Sequence, residues 1–189
     1  EGDIKNKNNQ FLLNMKNRYS PIPSFLSMKF DSNIKLDNVS FSRLFNSNKG
    51  SIEVFKENNN YIWEAKNFPL DELELSIGKN QFDRIEGIIN GSGTINSERS
   101  YLDGRLAWSL SKYRNIKLAN SLFDFSFNDN SFNVNSSLYP IDGGIIEVDY
   151  DSNKNNLINL DFNDISTSWT VLTALDIFKF DNKKVIQTI

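Results

Sequence analysis

The sequence contains no cysteine and no histidine. Together these absences remove thiol nucleophiles, Ser-His-Asp triads, imidazole acid–base catalysis and ordinary zinc sites. They leave the redox compartment open, since a periplasmic protein without disulfides and a cytosolic one look alike. Proline is scarce: Pro21, Pro23, Pro69 and Pro140 are the four in the chain, and all fall between strand-like runs. That placement suits a residue that cannot donate to a ladder. No charge of one sign dominates, with 21 Lys and Arg against 24 Asp and Glu and a net charge of −3. The mixture speaks against nucleic acid as a partner. No apolar run approaches the ~20 residues that a bilayer crossing needs. There is no start Met and no signal peptide, and the chain opens on "EGDIKNKNNQ". We expect it to be a piece of a longer protein, with any anchor lying outside it.

What is abundant is asparagine, 28 residues of 189. With the Lys, Ile and Phe content, this reads as the mark of an AT-rich genome rather than of a function. Asparagine is a poor strand former and a good turn former. Many of these residues cluster between apolar alternations.

The clearest alternation runs from Ile85 to Leu110. Ile85, Gly87, Ile89, Gly91, Gly93 and Ile95 share one parity, against Glu86, Ile88, Asn90, Ser92, Thr94 and Asn96. After a polar turn, Leu102, Gly104, Leu106, Trp108 and Leu110 alternate with Tyr101, Asp103, Arg105, Ala107 and Ser109. Two long strands, each with one greasy and one wet face, follow from this pattern. The glycines fall on the greasy side, where they remove bulk and let a sheet bend or another chain approach.

Similar short alternations occupy the rest of the chain. Leu26, Met28 and Phe30 begin one, and Val39 and Phe41 resume on the opposite parity after Leu36, which places a bulge near Asn38. Ile52 and Val54 precede the turn "ENNN", and Tyr61 and Trp63 follow it. Parity shifts again between Leu118 and Phe123. Turn signals recur about every 8–12 residues, the spacing of an all-β meander. Residues 1–23 read as a polar lead-in or linker, 24–163 as the antiparallel sheet, and 164–189 as a short helix and tail. "SWTVLTALDIFKF" has apolar residues at helical spacing, with Ser166 or Ser168 as N-cap. "NIKLDNVSF" (33–41) matches "NIKLANSLF" (115–123), and residues 58–71 match 129–142, with an insertion expected at "RLFNSNKG". Two such units end to end suggest an extended groove, and a compact sandwich is the rival.

The run "FPLDELELSIGKNQFDRIEGIINGSGTINSERSYLDGRLAWSL", then "NIKLANSLFDFSFNDNSFNV" and "GGIIEVDY", resembles the TamB family of AsmA-like envelope proteins, in a cyanobacterial or plastid-type dialect. The resemblance covers most of Phe25 to Phe180 and rests on degenerate Gly and aliphatic alternation. It implies a curved antiparallel sheet forming an elongated groove, a β-taco. It also implies the periplasmic or envelope-spanning part of an inner-membrane-anchored protein, concerned with phospholipid transport between inner and outer membrane and with outer-membrane biogenesis. Adjacent β-groove repeats of the same chain and an outer-membrane β-barrel assembly protein are the implied protein partners.

A half-pipe lined by aliphatic and aromatic side chains offers phospholipid acyl chains a dry path, each CH2 moved from water being worth about 0.8 kcal/mol. The expected lining begins with Leu73, Leu75, Ile77, Ile85, Ile89 and Ile95. It passes through Leu102, Leu106, Trp108, Leu110, Phe123, Phe125 and Phe127. It ends with Phe132, Val134, Ile146, Val148, Tyr150, Ile158, Leu160 and Phe162. The same stripe would serve equally as the closed core of a sandwich, because every antiparallel sheet has one buried face. The carboxylates at Asp71, Glu72 and Glu74, and at Glu147, Asp149 and Asp151, read as solvated outer-face charges rather than a catalytic pair. "DSNKNN" lacks the acidic spacing and closing Glu of a calcium loop. We therefore expect no enzyme, no cofactor and no metal. Two other readings stay open: a chaperone-like module that pairs β-barrel precursors through its edge strands, and a carbohydrate-binding sandwich. The second would want aromatics on the polar face, whereas Trp63 and Trp108 fall on the apolar one.

Overall fold

In the computed structural model, residues 2–7, 10–17, 23–45, 48–70, 73–76, 82–96, 98, 100–113, 116–154 and 158–177 are described. Thirteen strands form one sheet. They are Gly2–Lys7 (β1), Gln10–Asn17 (β2), Ser24–Phe30 (β3), Leu36–Phe45 (β4), Asn48–Glu57 (β5) and Asn60–Pro69 (β6). Leu73–Ser76 (β7), Phe82–Asn96 (β8), Tyr101–Tyr113 (β9), Ile116–Asn128 (β10), Ser131–Pro140 (β11), Ile145–Asp151 (β12) and Ile158–Asn163 (β13) complete it. One helix, Thr167–Ile177 (α1), follows.

Every pairing is antiparallel and sequence neighbours are spatial neighbours. β7 is the exception in kind: it pairs only with the start of β8, in line with β6. The tight hairpins form where the Asn- and Asp-rich turns stand. Glu57 faces Asn60, with Asn58 at φ 55°, and Asn128 faces Ser131, with Asp129 at φ 49°. Asn and Asp tolerate that left-handed backbone better than other side chains. The bulge expected near Asn38 is present: Lys29 pairs with Asn38 but Phe30 with Leu36, so Asp37 is the extra residue.

Three readings are corrected. Residues 1–23 are not simply a lead-in, because β1 and β2 belong to the sheet and β2 pairs β3 along its length. The signal was there, in the alternation of Phe11, Leu13 and Met15. The matched blocks are not a structural repeat. Their insertion is the whole strand β5, so β4 and β6 run in the same direction whereas their counterparts β10 and β11 run in opposite directions. What the blocks share is local. Tyr61 and Phe132 lie on the same face, and Pro69 and Pro140 both end their strands buried. The sandwich is also excluded for the described residues, since the sheet is open and no second sheet covers it.

α1 begins where Ser166 stands. Its carbonyl accepts from the Thr170 N–H at 3.0 Å and its hydroxyl lies 3.5 Å from the Trp169 N–H. The helix folds back from β13 to reach β10, three strands away, through Trp169. That indole is 8% exposed and its Nε1 lies 3.4 Å from the Lys117 carbonyl.

Candidate functional site: the uncovered apolar face

Register decides which side chains share a face, because directly opposed residues point the same way. One row crosses twelve strands: Ile4, Leu13, Met28, Val39, Val54, Trp63, Gly93, Gly104, Phe125, Val134, Tyr150 and Ile158. A second runs Met15, Leu26, Phe41, Ile52, Ala65, Gly91, Leu106, Phe123, Ser136, Val148 and Leu160. Shorter rows join Ile89, Trp108, Ser121, Leu138, Ile146 and Phe162, and Tyr61, Ile95, Leu102, Phe127 and Phe132. None of these positions carries a charge.

The opposite face is polar along its middle row, although Leu12, Phe25, Phe55, Ile62 and Leu122 stand elsewhere on it. Asp3, Asn14, Ser27, Ser40, Glu53, Glu64, Ser92, Arg105, Asp124, Asn135, Asp149 and Asn159 form a row with no apolar side chain in it. Arg105 holds Asp124 with its Nε at 2.6 Å, and this bond raises the guanidinium pKa further above its ordinary value. Tyr101 donates to Asp103 at 2.9 Å, which holds its hydroxyl pKa above the usual phenol value. Glu147 accepts from the Ser137 hydroxyl at 2.8 Å and Asp149 lies 3.5 Å from the Asn159 amide. Both carboxylates therefore stand on the wet face. Asp71 and Glu72 lie outside the described residues, and among those described no cluster of His, Cys, Asp or Glu could hold a metal.

The apolar rows are half-exposed rather than buried. Among the described residues only Ala65, Phe68, Ile146 and Trp169 are buried hydrophobics. Phe127, Phe132, Ile158, Leu160 and Phe162 are 37 to 61% exposed. A sheet with a core on one face would bury most of such a row.

Trp63 organises the middle. Its indole lies flat across β8 and β9, over Gly93 and Gly104, and stacks on Phe125 of β10 with ring centroids 5.9 Å apart and planes 20° from parallel. Its Nε1 donates to the Asp103 carbonyl at 2.9 Å. A Cβ at Gly93 or Gly104 would collide with the indole. The greasy-side glycines therefore make room for one large ring that ties four strands together. Trp108 behaves alike on a smaller scale, donating to the Glu86 carbonyl at 3.0 Å and packing 6.5 Å from Phe123.

Beside these rings lies a hollow of about 380 Å³, walled by Leu70, Ile85, Ile89, Leu106, Trp108, Phe123, Phe125, Phe132 and Val134. Two larger hollows have mixed walls: one of about 730 Å³ sets Met15, Phe25, Leu26 and Leu44 beside Ser, Asn, Asp and Lys residues, and one of about 590 Å³ is walled chiefly by Ser, Asn and charged residues. Hollows on both faces follow from twist, which makes a sheet a saddle. Lining chemistry, not size, separates them: of these three, the hollow beside Trp108 is walled entirely by hydrocarbon and aromatic side chains.

The structure brings most of the expected lining together. Eight of those residues wall the hollow with Leu70, and Ile95, Leu102, Phe127, Ile146, Val148, Tyr150, Ile158, Leu160 and Phe162 continue the same face. Leu73 and Leu75 are backbone partners of Ile85 and Asp83, their side chains being outside those described, as is Ile77 altogether. Leu110 is corrected. It stands at φ 51°, unpaired between Ser109 and Ser111, beside the bulge at Gly87, and is 74% exposed. The parity shift it produces puts Ser111, 2% exposed, opposite Leu118. Leu70 was missed because it follows Pro69 in a stretch that reads as an interruption. The apolar positions of β2 to β6 were missed as lining, although their alternation was visible.

No protein-family model, curated protein or solved structure shows a significant match to this chain.

Proposed function

We propose that this chain is a non-enzymatic segment of a hydrophobic conduit for phospholipid acyl chains, working between the inner and outer membranes. The observation that carries the reading is the uncovered apolar face. Rows of uncharged side chains run across twelve strands, and the hydrocarbon-walled hollow beside Trp108 lies among them. An acyl chain laid along them leaves water at about 0.8 kcal/mol per CH2, with no single contact strong enough to arrest it. The resemblance to the TamB family supports the same reading, as does the wet opposite face, which suits an aqueous compartment such as the periplasm. No described helix is long and apolar enough to cross a membrane, and the proposal assigns membrane anchoring to other parts of a longer protein.

The test is chemical. Protein purified without detergent should carry phospholipid detectable by native mass spectrometry after a gentle preparation. Leu106→Arg and Ile89→Asp should remove that lipid while leaving the strand signal in circular dichroism intact. Lipid-free wild-type protein under these conditions would overturn the proposal.

A further inference from the structure

The strand path ends at β1 and β13, and no described strand pairs with the outer side of either. Exposed edges template further pairing unless they are blocked. β13 is not blocked by proline, bulge or lysine. All six of its residues are exposed, and Ile158, Leu160 and Phe162 continue the apolar face at 61, 51 and 57% exposure.

The unbroken path from β1 to β13 contains twelve strands, so β1 and β13 run in opposite directions. A second copy added edge to edge would meet β13 with its own β1 in antiparallel sense, continuing the alternation without a break. Both strands are six residues long. The faces also agree, since Ile4 lies on the apolar row that ends at Ile158.

Charge selects the register. The wet side of the β12–β13 edge carries Glu147, Asp149 and Asp161. The wet side of β1 carries Lys5, 68% exposed in its side chain and paired with Asp3 at 3.2 Å. Opposing Leu160 to Ile4 would set Asp161 against Asp3, which like charges disfavour. A shift of two residues sets Phe162 against Ile4 and Asp161 against Lys5, joining an apolar pair on one face to an opposite-charge pair on the other, with Leu160 facing Asn6.

We infer that β13 of one copy docks on β1 of another in this register, forming a head-to-tail continuation of the sheet. The contact is heterologous, so it adds copies in series, as an open chain or a ring, rather than forming a two-fold dimer. It is independent of the acyl-chain reading.

Sedimentation velocity over micromolar to millimolar protein tests it. The wild type should show mass rising with concentration in a series. Phe162→Lys should weaken association about tenfold by removing an exposed apolar contact. Asp161→Lys should weaken it roughly threefold or more by opposing two lysines. Adding Lys5→Asp to Asp161→Lys should restore it to within about twofold, because the pair is then reversed but matched. Both β13 positions are exposed, and unchanged circular dichroism would certify the fold. A monomer at every concentration would overturn the inference. So would association indifferent to all three variants, which would place the contact on the open apolar face.

Discussion

A single side chain, Trp63, explains the glycines that the sequence places on the greasy side of β8 and β9. Gly93 and Gly104 are small because an indole lies on them, and the two facts should prove inseparable on mutation. Gly104→Val sets a branched side chain where the Trp63 ring lies and should destabilise the fold by about 2–3 kcal/mol. Trp63→Ala should cost about 3 kcal/mol through lost contacts with Phe125 and the sheet. In the double variant the two costs should fall well short of their sum, since the collision is gone. Additive costs in urea titration would show that Trp63 and Gly104 do not share this contact. Ile34 makes a second residue-scale prediction. It stands at φ 62° in the turn after β3, 72% exposed, a backbone region that β-branched residues resist. Ile34→Gly should raise stability by about 1 kcal/mol, read as a higher urea midpoint with an unchanged slope.

Alternation is an element-scale property, and most of the strands were legible from it. The period of two is set within each strand by backbone geometry, so Phe123, Phe125 and Phe127 declare their common face without knowledge of any neighbour. Two things defeated it. At Leu110 a left-handed residue breaks the period, and the sequence there shows nothing but another leucine in phase. At β1 the run "GDIKNK" has a single large apolar residue, and its strand character comes from pairing with β2 rather than from its own pattern. α1 depends in the same way on a distant contact. Trp169→Ala should cost about 3 kcal/mol and loosen the helix from β10. The helical part of the circular dichroism should melt before the strand part. A single joint transition at an unchanged midpoint would show that the indole contributes little.

At the scale of the whole molecule, the open face governs behaviour. A large uncovered apolar surface on a chain is a binding surface or an association hazard, and the proposed conduit uses it for acyl chains. An arginine at Leu106 would stand in the middle of the proposed lipid path, where a charge in hydrocarbon costs about 2.5–3.5 kcal/mol. That corresponds to a drop in lipid occupancy of roughly a hundredfold. Ser92→Arg, on the wet face, should leave occupancy unchanged, and quantifying bound phospholipid in both variants checks the pair. Equal loss in both would mean that the lipid is not held by the apolar face.

The sequence by itself determined which residues alternate along most strands, where the chain turns, and that neither a thiol nor an imidazole is available in it. These follow from side-chain type and from the local period of the strand. Only the tertiary structure decided that no described residue covers most of the apolar face, that β1 and β2 extend the sheet, and that Leu110 leaves the row. Whether a greasy face is covered depends on what lies across from it. That partner, where there is one, comes from elsewhere in the chain or from outside it, and no local periodicity encodes which.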